Sequence, residues 1–202
     1  MTLWRGKYPL VLGSQSRARQ TLLANAGIDF EAAPAEIDER AVQQASGLSA
    51  PGDVATRLAR EKSLFVSARR PGRYVVGADQ TLALGMQLFS KPASRAQAVE
   101  QLHTLAGRHH ELHSAVAVAR DGRILFEHVA IARMTMRRLG ESEIEAYLDE
   151  AGAAVTSSVG AYQLEGLGVH LFERIEGDHF TILGLPLLPL LAFLRSEALL
   201  GL

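Results

Sequence analysis

Residues 8–23 read Tyr8-Pro9-Leu10-Val11-Leu12-Gly13-Ser14-Gln15-Ser16-Arg17-Ala18-Arg19-Gln20-Thr21-Leu22-Leu23, and their pattern changes halfway. An apolar run from Tyr8 to Leu12 stops at Gly13. From Ser14 to Ala26 the spacing becomes helical, with Leu22, Leu23 and Ala26 on one face. Strand, glycine, helix is the opening unit of an α/β chain. The free backbone N–H groups and dipole of such a helix start form a ready anion site. Arg17 and Arg19 oppose that dipole by ~0.3–1 kcal/mol each, which a bound polyphosphate would offset. The plainer reading makes Ser14 or Ser16 an N-cap and leaves the arginines solvated, and these residues alone leave both open. No G-x-x-x-x-G-K-[ST] occurs, so this is not a Walker A loop.

Further along, strands and helices alternate. A helix is expected over Val54–Ala68 with Asp53 as N-cap, and a buried strand over Tyr74–Ala78. Thr81–Leu84 and Leu88–Ser90 flank Gly85 as a hairpin, and Ser94–Leu105 reads as a helix. Glu111–Ala119 and Ile124–Met136 are strands joined at Asp121-Gly122. A short helix over Ser142–Glu150 precedes strands near Val169–Ile175 and Thr181–Leu183. The apolar stretch Phe180–Leu194 reads as a strand entering a buried helix, with Pro186 near the helix start. Glu36–Asp53 reads as a mobile loop. The expected class is α/β with a mixed, partly antiparallel sheet and flanking helices.

The chain has 202 residues, 48% hydrophobic and 21% charged, which suits one domain over residues 1–202. Lys+Arg at 21 against Asp+Glu at 22 leaves a net charge of −1, so a stable nucleic-acid partner is not expected and any anion site must be local. The absence of Cys excludes a disulfide framework, a thiolate zinc site and a cysteine nucleophile. Such a chain has no use for an oxidising compartment, and the cytoplasm is the expected location. Neither a leader peptide nor a membrane-spanning run is visible.

Asp79 follows Tyr74-Val75-Val76-Gly77-Ala78 and so should sit at the carboxyl end of a buried strand, where α/β sheets open ligand crevices. The hairpin would return Lys91 close to the position opposite Asp79. A carboxylate and an ammonium there suit metal-assisted phosphate chemistry, or a plain structural ion pair. Lys62 falls four residues after Leu58 on the apolar stripe of its helix, where it needs a partner or must snorkel outward. Glu36, Asp38 and Glu39 form an acidic run, usually solvated, of which one member suits a hard metal. His103, His109, His110 and His113 resemble a metal cluster only on paper, because His110 and His113 have opposite strand parity.

Together these segments resemble the Maf family of nucleoside triphosphate pyrophosphatases over nearly the whole chain. The matching segments are Gly13 to Leu23, Ile37-Asp38-Glu39, Arg57 to Lys62, Gly77-Ala78-Asp79, Lys91-Pro92, Gly107 to His110, Gly160-Ala161-Tyr162 and Gly184 to Leu187. The resemblance implies hydrolysis between the α and β phosphates of a nucleoside triphosphate with a divalent cation, Mg²⁺ or Mn²⁺. It also implies an elongated sheet with a cleft between two lobes, related to the inosine triphosphatase group. In that scheme Asp79 is the general base and a metal contact, Glu39 helps hold the metal, and Lys91 acts beside them. Arg19, Lys62, Ser14 and Ser16 bind the triphosphate.

The departures from the family pattern bear on the base. Ala18 replaces the first arginine of an Arg-Arg pair, Gln80 stands where the thymidine/uridine branch has Thr, Ser158 replaces a Lys, and Glu165 replaces a Gln. Gln80, Ser158 and Glu165 look like the branch that hydrolyses 7-methyl-GTP, whereas Ala18 lies where that branch places an aromatic residue. Broad or dTTP/UTP specificity is the alternative. A non-catalytic regulator of septum formation is the competing class, and the resemblance also suggests a homodimer.

Overall fold

Strand β1 (Leu10–Leu12) is fully buried, and parallel partners occupy both of its edges: β2 (Phe30–Ala32) and β3 (Val75–Leu84). Beyond β3 every pairing is antiparallel, to β5 (His109–Arg120), β6 (Arg123–Met136) and β7 (Phe172–Glu176) in turn. The sheet order is β2-β1-β3-β5-β6-β7, with β4 (Gln87–Phe89) added to β3. This is the expected mixed α/β class. The computed structural model describes residues 3–201. Among these, no helix is long and apolar enough to cross a membrane.

The two edges of β3 are used unequally. Strand β5 runs along one edge from Val75 to Ala83. The other edge takes β1 at Val75–Val76 and β4 at Leu82–Leu84, so residues 77–81 have no strand beside them there. Asp79 lies in the middle of that gap.

The same strand divides two cores. On its even-numbered face, Val76 and Ala78 pack with Leu22, Leu23, Leu190 and Leu194 of helices α1 (Arg17–Asn25) and α7 (Leu187–Ser196). Leu82 packs with Leu102, Leu112, Met134 and Ile144, below α4 (Arg95–Leu105) and α5 (Glu141–Ala151). Gln80 falls between the two cores, which form the two lobes.

The odd-numbered face is covered by α3 (Pro51–Ser67), and small residues set its depth. Ala55 and Ala59 meet Ala115 and Ala117. A Cβ on Gly77 would lie 2.1 Å from the Ala59 carbonyl oxygen and 2.6 Å from the Ser63 nitrogen. Only glycine lets helix and strand backbones approach this closely. That approach carries Lys62 over Asp79.

Several local expectations are corrected. Residues 39–46 of the supposed loop form α2 (Glu39–Ser46), begun by Asp38 Oδ1 accepting the Ala41 N–H at 3.0 Å. It has no buried residue, which is why it left no apolar stripe to read. Helix α3 starts at Pro51 rather than after Asp53, because proline suits a first helical position, and Asp53 sits in the first turn instead. The strand of Asp79 does not end at Ala78: Val75–Leu84 is one element, and the expected strands on either side of Asp79 are its two halves. Thr181–Leu183 is no strand but belongs to α6 (His179–Ile182), where Asp178 accepts the Thr181 N–H at 3.0 Å. Residues 167–171 are a 3-10 turn before β7.

Gly77→Ala tests the close approach. It should cost at least ~1–3 kcal/mol, the usual range for overpacking. At about 2–4 °C per kcal/mol for a domain of this size, thermal unfolding by circular dichroism should show a Tm lower by roughly 5 °C. An unchanged Tm would mean that α3 has room to shift.

Candidate active site

The first cation of the site comes from α1. Arg19 shares a face with Leu22 and Leu23 and is buried with them. Its Nε donates to the Gly184 carbonyl at 2.7 Å, and its Nη1 donates to the Ala78 carbonyl at 2.7 Å and to Ser14 Oγ at 3.2 Å. The guanidinium therefore caps the open edge of β3 one residue before Asp79. Nη2 has no acceptor among the described residues. Burial pulls the pKa of Arg19 down, and the charges of Asp79 and Glu39 oppose that. Ser14 Oγ also accepts the Ser16 N–H, and Ser16 Oγ caps the helix through the Arg19 N–H at 3.4 Å. Both serines thus shape the turn around Arg19, while Arg17 is exposed.

The second cation comes from α3. Lys62 Nζ lies 2.5 Å from Asp79 Oδ1 and 2.7 Å from Glu39 Oε1. The side chains of Lys62 and Asp79 are 9% and 10% exposed, against 53% for Glu39, so the cluster is buried on one side and open on the other. Burial raises the pKa of Asp79. Lys62 and Arg19 pull it back down, and Glu39 pushes it up again. A buried carboxylate with a raised pKa, beside a partner open to solvent, suits a general base.

Other named residues fall around this cluster. Gln80 points to the opposite face, where its Nε2 lies 2.8 Å from Ser114 Oγ, 3.0 Å from the Ile182 carbonyl and 3.2 Å from the Thr181 carbonyl. The hairpin register, Leu82 opposite Phe89, is the one that returns the chain toward Asp79. Pairing stops at Phe89, however, and Lys91 is exposed with no ion pair among the described residues, so the partner of Asp79 is Lys62. Ala18 is half-buried at the helix start, and Glu165 is exposed in a turn of the second lobe. The histidines are dispersed by strand parity: His110 Nε2 meets Tyr162 Oη at 2.8 Å, and His113 Nε2 meets Glu111 Oε2 at 3.1 Å on the other face.

The carbonyls of Ala78 and Gly184 are the groups that the sequence reading missed. Arg19 itself carried the signal, since it lies three residues before Leu22 on an apolar stripe and so requires buried acceptors.

Among the described residues, no three His, Cys, Asp or Glu side chains are arranged to enclose a metal. Glu39 and Asp79 nevertheless converge on one cationic centre, Lys62 Nζ, within 2.7 Å. Lys62 engages only Oδ1 of Asp79 and Oε1 of Glu39, and the second oxygen of each carboxylate suits a hard divalent ion that takes its remaining ligands from water and substrate phosphates.

These features define an α/β protein with a half-buried charged cluster beside an open strand edge. The chain belongs to the Maf family, whose model, described as Maf-like protein, matches residues 9–197. It is 71% identical over 201 residues to a nucleoside triphosphate pyrophosphatase of Rhodopseudomonas palustris, with 100% of each chain covered. A protein of the same name from Bradyrhizobium diazoefficiens is 70% identical, again with 100% of each covered. A 7-methyl-GTP pyrophosphatase of Mesorhizobium japonicum is 54% identical over 190 residues, covering 93% of this chain and 95% of that one.

The electrostatics of Asp79 yield a stability test. Its folded pKa is raised, so its protonated form favours folding. That contribution is fully present below the pKa of an unfolded carboxyl and is lost as pH rises through the raised folded value. At neutral pH Asp79→Asn should therefore unfold at the wild-type temperature or above it, while Glu39 keeps Lys62 paired. If Asp79 served as a structural ion pair, the same change would cost about 3–5 kcal/mol.

Proposed function

We propose that this nucleoside triphosphate pyrophosphatase acts on a guanine-type triphosphate such as 7-methyl-GTP, with a divalent cation held by Glu39 and Asp79. The enzyme class follows from family membership and from identity of about 70% over the full chain. The observation that carries the chemistry is the meeting of Lys62, Asp79 and Glu39, beside Arg19, in the gap along β3.

In the proposed reaction Asp79 accepts a proton from water as the water oxygen attacks the α phosphorus. The bond from that phosphorus to the α–β bridging oxygen breaks, and pyrophosphate leaves. Arg19 Nη2 and Lys62 Nζ take phosphate oxygens, so charge moving onto the leaving group meets fixed cations. Lys62 exchanges its contact with Glu39 for a phosphate as substrate enters. When bound, Mg²⁺ or Mn²⁺ supplies further neutralisation of the phosphates.

Base choice rests on Glu165. An ionised carboxylate accepts hydrogen bonds and donates none. Guanine offers adjacent N1–H and N2–H donors, whereas uracil and thymine offer one N–H between two carbonyls. A 7-methylated ring adds a positive charge that the carboxylate attracts. The name of the Mesorhizobium relative supports this reading. A broader specificity is the second reading, favoured by the more similar relatives, whose names specify no base, and by the small Ala18.

Four measurements test the proposal. With Mg²⁺ or Mn²⁺ the products should be monophosphate and pyrophosphate, and kcat/KM should rank 7-methyl-GTP above UTP and dTTP, with Glu165→Gln narrowing the gap. Release of orthophosphate alone, or a preference for UTP or dTTP, would refute it. Asp79→Asn should lower kcat by about 10²–10⁴-fold, the usual contribution of a general base. Lys62→Met should move the acidic limb of the kcat/KM profile to higher pH, because Lys62 holds the raised pKa of Asp79 down. A limb that stays in place would separate the titrating group from Asp79.

A further inference from the structure

The second lobe contains a polar pair that the chemistry above does not use. His110, on the even-numbered face of β5, is 1% exposed, pairs across the sheet with Met134 and lies 5.9 Å from the Phe172 ring. Its Nε2 lies 2.8 Å from Tyr162 Oη, and its Nδ1 is buried with no hydrogen-bond partner. Burial lowers the pKa of His110 to about 4 and raises that of Tyr162, so both are neutral at physiological pH and are joined by a single hydrogen bond. A half-satisfied polar pair in an apolar core works against stability. A phenylalanine of similar shape would fill the same space without an orphaned nitrogen.

What the pair holds is a strained turn. Gly160 and Ala161 both have positive φ, 77° and 62°, a region that alanine adopts only under constraint. Their neighbours fix them there. A Cβ on Gly160 would lie 2.6 Å from Leu82 Cδ1, Tyr147 Oη donates to the Ala161 carbonyl at 3.1 Å, and the Tyr162 ring packs edge-on to Phe172 at 4.8 Å. From Tyr162 the chain enters the turn 163–168. Gly168 closes it so tightly that a Cβ there would lie 2.4 Å from the Gln163 carbonyl oxygen. Glu165 is at the exposed tip of this turn. The anchors of the turn, Leu82 and His110, lie on β3 and β5, so it is tied to the strand that carries Asp79 and Gln80.

We propose that His110 is a positioning residue for base selectivity: its hydrogen bond to Tyr162 fixes the 163–168 turn and sets Glu165 in register with Gln80 and Asp79. This rests on Glu165 reading the base, as proposed above. His110 touches neither the cation cluster nor Arg19, so its effect falls on how the base is seated rather than on phosphate chemistry.

His110→Phe and Tyr162→Phe, the second removing only a hydroxyl, test this by steady-state kinetics with 7-methyl-GTP and UTP. Each variant should keep kcat for 7-methyl-GTP within about threefold. Its KM for that substrate should rise and its preference over UTP should fall, by roughly tenfold each, a size typical of coupled neighbours. In a Glu165→Gln background the same changes should leave the preference unmoved. Selectivity retained while only Tm falls would overturn the proposal, as would an equal loss of selectivity with and without Glu165. If Glu165→Gln alone leaves the preference intact, the base-reading assignment fails first, and the role of His110 fails with it.

Discussion

The structure turns on one ammonium group held between two carboxylates. Lys62 Nζ sits 2.5 Å from Asp79 and 2.7 Å from Glu39, on the buried floor of a gap in the sheet. A lysine and an aspartate buried this deeply are each unfavourable alone, because removing a charge from water costs several kcal/mol. Placed together they compensate each other in part, and Arg19 adds a second positive charge. Two cations and two carboxylates thus balance in one place, and under the proposed function a substrate phosphate would replace Glu39 as the partner of Lys62.

Several features of the fold are conditions for this contact. Gly77 permits the close approach of α3 to β3, since any Cβ would meet the Ala59 carbonyl. The alanines of both elements keep the helix down along its length. Strand β1 stops early and β4 starts late, which leaves the backbone of β3 open beside Asp79. Arg19 closes that edge by binding the Ala78 carbonyl. The guanidinium is thus both an edge cap and a source of positive charge, and a lysine, with one nitrogen, could not make the same set of contacts.

Much of this was legible in the sequence, and the limits have physical causes. The stripe of Leu58 placed Lys62 on the apolar face, where it had to be paired or snorkel, and the run before Asp79 identified a buried strand. The strand's continuation through Asp79 to Leu84 was not legible, because an aspartate in a buried strand is disfavoured unless a distant residue compensates it. That residue is Lys62, 17 positions away on another element. Helix α2 was invisible for the opposite reason: it buries nothing, so no apolar periodicity marks it. Its place is set by a cap at Asp38 and by the pull of Lys62 on Glu39. The acceptors of Arg19 are backbone carbonyls, which no side-chain pattern reports.

The division of the even-numbered face into two cores places Arg19 and the 163–168 turn on one sheet. Arg19 belongs to the first core through α1, and Lys62 and Asp79 lie behind it on the odd face. The turn bearing Glu165 belongs to the second core through Tyr162. Gln80 stands at the boundary, donating to Ser114 of β5 and to carbonyls of α6. Because β3 and β5 pair without interruption from Val75 to Ala83, the two lobes share one rigid floor. Side chains on such a floor keep fixed separations, whereas two lobes joined by a hinge would have to find their geometry at each encounter. Changes in the 163–168 turn therefore need not disturb the cation cluster.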